Sequence, residues 1–191
     1  MRITGGVLGG LTLRTPKNYD VRPTPDMVRQ AVFNSLGERV LETRVLELFG
    51  GTGALSLECL SRGARQAVCV EISRPQARMI EHNFGLTNLA RNVFQIRIQD
   101  VFTAIPQLAG IGETYDLVLA DPPYGEKNVG RRSTSMAQRL LDSPDLPRLL
   151  GPEGLFILGH SKRDTLEIGA AWKELKTIQH GDSMMRFLGV A

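Results

Sequence analysis

Hydrophobic and polar positions along the chain alternate between two spacings. From residue 45 onward, short apolar runs are separated by stretches whose apolar residues recur every three or four positions. Short bounded runs are typical of buried strands, and the wider spacing is typical of helices. Strands are predicted at residues 45–49, 67–71, 93–98, 117–120 and 155–159, and helices at 55–60, 75–84, 102–108 and 136–141. The alternation favours an α/β fold with a mostly parallel sheet covered on both faces.

The two ends of the chain depart from this alternation. Residues 172–178 and 184–190 flank the turn His180-Gly181-Asp182 and are expected to pair. Residues 2–14 contain two Gly-Gly pairs among apolar residues, which predicts a hairpin turning near Gly9-Gly10. Residues 15–25 are punctuated by proline, and Thr24 or Asp26 is expected to cap a helix that ends at Gly37. We therefore expect an N-terminal β-hairpin arm, residues 1–22, beside a main domain, residues 23–191.

Composition excludes several classes of protein. The 191 residues are 42% hydrophobic and 23% charged, which is ordinary for a soluble globular domain. No apolar run is long enough to span a bilayer and no signal-peptide core is present, so a cytoplasmic protein is expected. The two cysteines, Cys59 and Cys69, lie in apolar segments, and the three histidines are scattered. We therefore expect no metal site.

Charge is distributed unevenly along the chain. The net charge is +3, and residues 1–22 alone carry four basic residues against one acid, Asp20. A second basic segment, residues 126–135, is polar and reads as a loop. Such segments are often only solvated surface, but they mark where a polyanion would bind. The candidate RNA-binding residues are Arg2, Arg14, Lys17, Lys127, Arg131 and Arg132.

A stiff acidic segment, Asp121-Pro122-Pro123-Tyr124-Gly125, follows the apolar run 117–120. Two prolines cannot donate to a sheet, so the strand must end at Asp121. Open α/β sheets bind ligands at this end of their strands. The Asp121 carboxylate and the Pro122 carbonyl can accept hydrogen bonds from a planar NH2 group, and the Tyr124 ring can lie on a flat base. We call residues 121–125 the lip; it predicts a holder for an exocyclic amine.

A nucleotide-type site is predicted upstream of the lip. Gly50, Gly51 and Gly53 lie between a strand and a helix, where glycine lets a ligand approach the backbone closely. The next strand ends in Glu71, 18 residues after Gly53, where an acid can accept both hydroxyls of a ribose. Asp100 ends the third strand and could accept from an adenine NH2 group. Taken alone, each acid is equally well explained as a solvated residue at the end of a strand. Their occurrence on successive strands favours a nucleotide-binding site.

The whole pattern resembles a known enzyme family. Glu47 inside the strand before a Gly-Gly-x-Gly turn resembles the S-adenosylmethionine site of class I methyltransferases, and Asp-Pro-Pro-Tyr resembles their signature for nitrogen methylation. The narrower resemblance is to the RsmD family, and it rests on residues 22–29, Phe33-Asn34, residues 48–55 and 60–64, the lip, and Gly181-Asp182-Ser183. It covers nearly the full chain. Glu47 stands where the family often has Asp, and Gly50 where Ala is usual.

The resemblance implies specific roles. It implies a Rossmann-like sheet of seven strands, the last antiparallel, and methylation of guanine N2 in 16S rRNA of the small ribosomal subunit. Catalytic roles would fall to Asp121, Pro122 and Tyr124, and whether Asp121 takes the departing proton stays open. The cofactor-binding residues would be Glu47, Gly50, Gly51, Gly53, Glu71 and Asp100, with Arg22 and Thr24 near the methionine carboxylate. A capping and surface role for Arg22 and Thr24 is an equal alternative. We expect a monomer.

Three other functions stay open at this point. A DNA adenine N6-methyltransferase also uses Asp-Pro-Pro-Tyr, but 191 residues leave little room for a target-recognition domain. A non-catalytic RNA-binding assembly factor would be expected to lose Asp121 or the glycine turn, and both are present. An NAD-binding reductase is disfavoured because the glycine spacing differs from G-x-G-x-x-G.

Overall fold

The computed structural model describes residues 1–16, 25–125, 127–128 and 131–191. The strands are β1 (Arg44–Leu48), β2 (Gln66–Glu71), β3 (Phe94–Ile98), β4 (Tyr115–Ala120), β5 (Leu150–Ser161), β6 (Trp172–His180) and β7 (Ser183–Val190). The α-helices are α1 (Asp26–Leu36), α2 (Ala54–Ser61), α3 (Arg74–Gly85), α4 (Val101–Gly110) and α5 (Met136–Leu141). Short 3-10 turns lie at Gly37–Val40, Arg91–Val93 and Pro147–Leu149.

All seven strands form one sheet in the order β3-β2-β1-β4-β5-β7-β6. The pairings β1–β2, β2–β3, β1–β4 and β4–β5 are parallel, whereas β7 runs antiparallel to both β5 and β6. The predicted α/β class and the antiparallel last strand are therefore confirmed. Because β1 lies between β2 and β4, the strand order reverses direction at β1, which is where open sheets of this kind bind ligands.

Two apolar clusters cover the two faces of the sheet. One packs α4 and α5 against β1, β2, β4 and β5 and contains Leu46, Ile105 and Phe156. The other packs α1 and α2 on the opposite face and contains Phe33 and Leu57. Strand residues alternate between the two clusters, since successive side chains of a strand point to opposite faces. Both cysteines are buried free thiols, and burial raises the pKa of each.

The boundaries differ from prediction mainly where polar or proline residues interrupt a pattern. Strand β5 begins at Leu150, five residues before the predicted start, because Gly151-Pro152 obscures it in the sequence. The register between β4 and β5 shifts between Tyr115 and Leu117, which accommodates the irregular start. Helix α1 begins after Pro25 with no side-chain cap, so the predicted capping by Asp26 is wrong. Its carboxylate instead accepts from Arg29 (2.8 Å).

The N-terminal residues double back on themselves and pack on the main domain. Ile3 N donates to Leu11 O (2.9 Å) and Leu13 N to Met1 O (3.0 Å), and Arg2 and Thr12 form an isolated antiparallel bridge. The turn is broader than predicted and spans residues 5–10. Ile3 and Leu13 are buried in the cluster that contains α1 and α2. The hairpin thus gains from the core the stability that two short strands lack alone.

Buried polar groups fix the hairpin to α2 and α3. Glu58 on α2 is fully buried; it accepts from Thr4 N (2.6 Å) and from Arg62 Nε (3.2 Å). Asn83 on α3 is also fully buried and binds both backbone groups of Arg14. Buried polar groups are costly unless they are paired, so these bonds specify where the hairpin lies. Across the described residues, no helix is both long enough and apolar enough to cross a membrane.

Candidate active site

The carboxyl ends of β1 and β4 bring the glycine turn and the lip together. The register pairs Leu48 with Ala120, the last residues of the two strands. The segments that follow, residues 49–53 and 121–125, therefore leave the sheet from adjacent positions. Leu48 also pairs with Val70, which places the end of β2 on the other side of the turn. Sequence-predicted residues from three strands thus meet at one edge of the sheet.

The glycine turn, residues 49–53, has a backbone that few residues can adopt. Gly51 and Gly53 have φ values of 57° and 75°. A methyl group added at Gly50 would overlap the Cys69 sulfur, and one at Gly53 would lie 2.9 Å from Ile80 Cγ2. Gly53 N closes the turn on Gly50 O (2.7 Å), and Gly50 N donates to Val70 O (2.9 Å). Glycine is therefore required for the turn's own packing as well as for approach by a ligand.

Phe49 is a member of this turn that sequence reasoning missed. It has φ 62°, a left-handed conformation that is uncommon for a bulky residue. Its ring packs edge-on against Phe102 of α4, with centroids 6.1 Å apart. Unusual backbone of this kind persists only where packing enforces it, and it clusters at functional sites. Nothing in a run of apolar residues signals the change of conformation.

Glu71 connects the glycine turn to the start of α3. The residue is 5% exposed. Its Oε2 accepts from Gly51 N (2.8 Å) and its Oε1 from Ser73 N (2.7 Å). The carboxylate is therefore oriented by backbone at the end of β2, beside the turn. The ribose contact expected for Glu71 stays a prediction.

Glu47 lies below the turn, against the N-terminus of α2. It is 2% exposed, and its Oε2 accepts from both the backbone N (3.0 Å) and the hydroxyl of Ser56. Burial raises the pKa of Glu47 to about 7, although its hydrogen bonds to Ser56 and Cys69 act in the opposite direction. The contacts make Glu47 a support for the turn and the helix, and its predicted role in cofactor binding stays a prediction.

Ile72 follows β2, and Asp100 lies two residues after β3, the strand beside it at the edge of the sheet. Asp100 is exposed and caps α4, with its Oδ1 accepting from Thr103 N (3.1 Å). Ile72 directly follows Glu71 and is 64% exposed, although it is a large apolar residue. Sequence reasoning missed Ile72; the available signal was an isoleucine between a strand-ending acid and the helix-capping Ser73.

The lip is tightly packed against β5 and the segments that follow it. Asp121 is half-buried, and its carboxylate lies against the Cα of Gly159, where any side chain on β5 would overlap it. At the other end of the lip, a methyl group added at Gly125 would come within 2.5 Å of Ser135 Cβ. Tyr124 is 39% exposed, and its Oη donates to Ser183 Oγ (2.9 Å). Burial, Asp121 and Asp182 raise the pKa of Tyr124, with burial the largest cause.

The predicted RNA-binding residues fall into three groups. Arg2 and Arg14 are exposed on the hairpin, and the Arg2 side chain lies 3.6 Å from Asp26. Lys127 and Arg131 are exposed on the segment after the lip, whereas Arg132 is paired with Asp142 (2.7 Å) and Glu167 (2.9 Å). Lys17 lies outside the described residues, as do Arg22 and Thr24, which were predicted to bind the cofactor.

Two basic residues near the lip were not predicted. Lys162 and Arg163 are exposed directly after β5. Lys162 N donates to Asp182 O (2.8 Å), and Arg163 Nε lies 3.3 Å from Asp182 Oδ1. Their signal in the sequence was a Lys-Arg pair immediately after a strand. They add positive charge to the side of the lip that carries Tyr124.

The hairpin also reaches the glycine turn. Asn83 Nδ2 donates to Thr52 O (2.9 Å) as well as to Arg14 O (3.1 Å). The Thr52 hydroxyl contacts Met1 Sδ (3.3 Å). The arm is therefore joined to the turn through one buried amide and one side-chain contact. Among the described residues, no cluster of three or more His, Cys, Asp and Glu side chains is placed to hold a metal ion.

Comparison with known proteins identifies the family of this chain. The family described as conserved hypothetical protein 95 matches residues 1–189. The chain belongs to this family. The resemblance to the RsmD family is thereby confirmed over nearly the whole length.

Individual relatives of this family have informative names. "Ribosomal RNA small subunit methyltransferase D" of Escherichia coli K12 is 35% identical over 124 residues, which are 65% of this chain and 60% of the relative. A Bacillus subtilis protein, YlbH, named as a candidate rRNA methyltransferase, is 26% identical over 85% of this chain and 83% of its own length. The solved structure of yhhF from Escherichia coli, named as a candidate methyltransferase, covers 100% of this chain and 97% of its own, with a TM-score of 0.75 and 26% identity. The match to the first relative thus spans less than two thirds of that relative's length.

Proposed function

We propose that this protein is an S-adenosylmethionine-dependent methyltransferase that modifies the exocyclic N2 of a guanine in 16S rRNA. The observation that carries the proposal is the register of Leu48 with Ala120, which sets an amine-holding lip beside a nucleotide-type turn. A methyl donor and an amine acceptor must meet within a few ångströms, and adjacent parallel strand ends supply that proximity. The names of the relatives support both the reaction and the rRNA substrate.

The residues at the ends of β1, β2 and β3 fit S-adenosylmethionine. The glycine turn would let the backbone lie close to the ligand, Glu71 would accept from the ribose hydroxyls, and Asp100 from the adenine amine. The exposed side chain of Ile72 offers an apolar surface for the adenine ring. We assign Arg22 and Thr24 to the methionine carboxylate. When bound, S-adenosylmethionine supplies an electrophilic methyl group on a sulfonium sulfur.

The lip acts on the nucleophile. The exocyclic nitrogen of guanine is a weak nucleophile because its lone pair is delocalised into the ring. The Asp121 carboxylate and the Pro122 carbonyl would accept its two N–H bonds and hold the nitrogen in line with the methyl group. The two prolines make this acceptor pair rigid, so little reorganisation is needed at the moment of reaction.

Tyr124 supplies the stacking surface for the target base. A base inside folded RNA must leave its stack to reach a pocket of this kind. The partly exposed Tyr124 ring would replace the lost stacking partner while its hydroxyl stays bonded to Ser183. An aromatic ring stacks on any base, so Tyr124 would not discriminate among bases. The Asp121 carboxylate and the Pro122 carbonyl would select a base that carries an exocyclic amine.

Positive charge on two sides of the site would bind RNA phosphates. One group is Arg2 and Arg14 on the N-terminal arm, residues 1–22, to which we add Lys17 from its position in the sequence. Lys127, Arg131 and Arg132 form a second group after the lip, within the catalytic domain, residues 23–191. Such contacts add affinity without sequence preference, which suits a substrate that is recognised mainly by shape.

The test is transfer of a labelled methyl group from S-adenosylmethionine. Purified protein is incubated separately with naked 16S rRNA, with assembled small ribosomal subunits, and with DNA. Label at guanine N2 in either RNA sample supports the proposal. The sample that is methylated faster, naked rRNA or assembled subunits, identifies the preferred substrate. Label in adenine of DNA would instead identify a DNA N6-methyltransferase. If no methyl group is transferred to any of the three, the protein would instead be an RNA-binding protein that has the fold of a methyltransferase but no catalytic activity.

A further inference from the structure

Tyr124 is fixed at its far end by a residue from the last strand of the chain. Its Oη donates to Ser183 Oγ over 2.9 Å, and the two residues are 59 positions apart. Ser183 is 8% exposed, whereas Tyr124 keeps 39% of its surface exposed. The hydroxyl of the tyrosine is thus anchored in the protein while part of the ring faces solvent.

Ser183 is held in place by the strands on either side of it. It is the first residue of β7 and pairs with Ser161 of β5 and His180 of β6. A residue between two paired strands has little freedom to move along the sheet. Its hydroxyl therefore presents a fixed acceptor to the lip.

The turn that precedes Ser183 is also joined to β5. Asp182 O accepts from Lys162 N (2.8 Å), and Asp182 Oδ2 accepts from Ser161 Oγ (3.1 Å). Arg163 Nε lies 3.3 Å from Asp182 Oδ1. Three contacts thus hold Asp182 against the end of β5, the strand that neighbours the lip.

From this arrangement we infer that Ser183 is a positioning residue for Tyr124. The hydrogen bond to Ser183 fixes the position of the Tyr124 hydroxyl and so restricts rotation about Cα–Cβ. Because a phenolic O–H prefers to lie in the plane of its ring, a bond directed at Ser183 Oγ also favours one ring plane. The ring then presents one plane beside Asp121. The inference rests on the proposed function and deepens it, because a stacked base follows the plane of the ring. A base that tilts with a free ring would take its amine out of line with the donor.

Two single variants and their combination test this bond from both sides. Tyr124→Phe keeps the ring and removes the donor, and Ser183→Ala removes the acceptor. Each should lower the single-turnover rate of methyl transfer roughly three- to tenfold, the effect of one net hydrogen bond, with an unchanged Kd for S-adenosylmethionine. The double variant should be no slower than either single variant, because both remove the same interaction. Ser183→Thr, which retains a hydroxyl, should recover most of the rate.

A matched control separates this role from a general loss of a serine hydroxyl. Ser35→Ala deletes a hydroxyl that accepts from Lys176 Nζ (2.7 Å), between α1 and β6. It should leave the rate unchanged. Tyr124→Phe also protects the test against misfolding, since it keeps the ring of a residue that is 39% exposed and leaves every side chain of β7 in place.

Ring mobility provides a readout that does not need activity. The chain has three tyrosines, so ring-13C tyrosine gives few NMR signals, and Tyr124→Phe assigns one of them. Faster ring motion at Tyr124 in Ser183→Ala, together with the non-additive rates, supports the inference. Unchanged ring motion, or additive rate losses, overturns it. If wild-type protein transfers no methyl group to any RNA, the proposed function fails, and ring motion still decides whether Ser183 restrains Tyr124.

Discussion

The glycine turn and the lip lie side by side but are stabilised in different ways. The turn is held mainly by groups close in sequence: Glu71 accepts from Gly51, 20 positions away, and from Ser73, two positions away. The lip depends on distant segments, with Tyr124 bonded to Ser183 and Asp121 packed on Gly159. Two consecutive strand–helix units therefore suffice to build the turn. The lip needs the β5–β7 half of the sheet to be in place.

If the proposed function is correct, this difference separates cofactor binding from catalysis. Changes in the β6–β7 turn should lower the rate of methyl transfer without altering affinity for S-adenosylmethionine. Changes in the glycine turn should lower that affinity without altering the rate of transfer from bound cofactor. Substitutions at Asp121 and Glu71 test that separation, and substitutions at Glu47 and in the N-terminal arm test the regions around the two segments.

The largest effect is expected at the lip. Asp121→Ala removes an acceptor that orients the amine, so methyl transfer should fall roughly a hundredfold or more. Affinity for S-adenosylmethionine, measured by calorimetry, should stay near wild type because the turn is untouched. Asp145→Ala is a matched control, since Asp145 pairs only with nearby Arg148 on the surface among the residues described. Near-normal turnover of Asp121→Ala would remove the amine-holding role of the lip.

A smaller effect is expected below the glycine turn and concerns stability. The raised pKa of Glu47, about 7, lies above its ordinary value of 4.5, so the folded state favours the protonated form. The contribution of protonated Glu47 to the free energy of unfolding is fully present below pH 4.5 and is lost as pH rises through about 7. Glu47→Gln cannot ionise and should be more stable than wild type at pH 8 by about 2 kcal/mol, allowing for weaker bonds to Ser56.

Thermal unfolding at pH 5 and pH 8 measures this effect. The melting temperature of wild type should fall more between the two values than that of Glu47→Gln. Parallel behaviour of the two proteins would show that Glu47 keeps an ordinary pKa in the fold.

Loss of Glu71 should act mainly on cofactor affinity. Glu71→Ala removes the proposed acceptor for the ribose and the acceptor for two backbone N–H groups, Gly51 N in the glycine turn and Ser73 N before α3. The Kd should therefore rise at least about tenfold. Glu71→Gln retains one acceptor oxygen and should lose less. Calorimetry on folded protein that gives the wild-type Kd would exclude Glu71 from the cofactor site.

The smallest effect is expected at the N-terminal arm. Replacing Arg2, Arg14 and Lys17 together with Gln should lower the slope of log RNA affinity against log salt by about two, since each phosphate contact on single-stranded RNA contributes roughly 0.7. Binding of S-adenosylmethionine and the melting temperature should not change, because the buried Ile3 and Leu13 are retained. An unaltered slope with a large loss of melting temperature would mean that these cations only help the hairpin to cover the core.

The order of strands and helices was predictable because each apolar run matched one element. Seven strands and five helices appear where the periodicity indicates them, and Gly37 ends α1 as expected. Ends of elements were less predictable. The start of β5 contains Gly151-Pro152, and Pro25 rather than a polar side chain precedes α1. The start of β5 is held by the pairing of Leu150 with Tyr115 on β4. The start of α1 is held by its own backbone, since the Pro25 carbonyl accepts from Val28 N and Arg29 N.

The sequence by itself determined which residues stand at the carboxyl ends of β1 to β4, because each apolar run is followed there by a glycine turn, an acid or the two prolines of the lip. Only the tertiary structure decided what those residues touch. Glu47 turns to the start of α2, Glu71 bridges two turns, and Tyr124 is restrained by Ser183. The physical reason is that periodicity records which face of an element is buried, whereas a hydrogen bond between residues 59 positions apart depends on strand order and register. Neither strand order nor register can be predicted from a local pattern of apolar and polar residues.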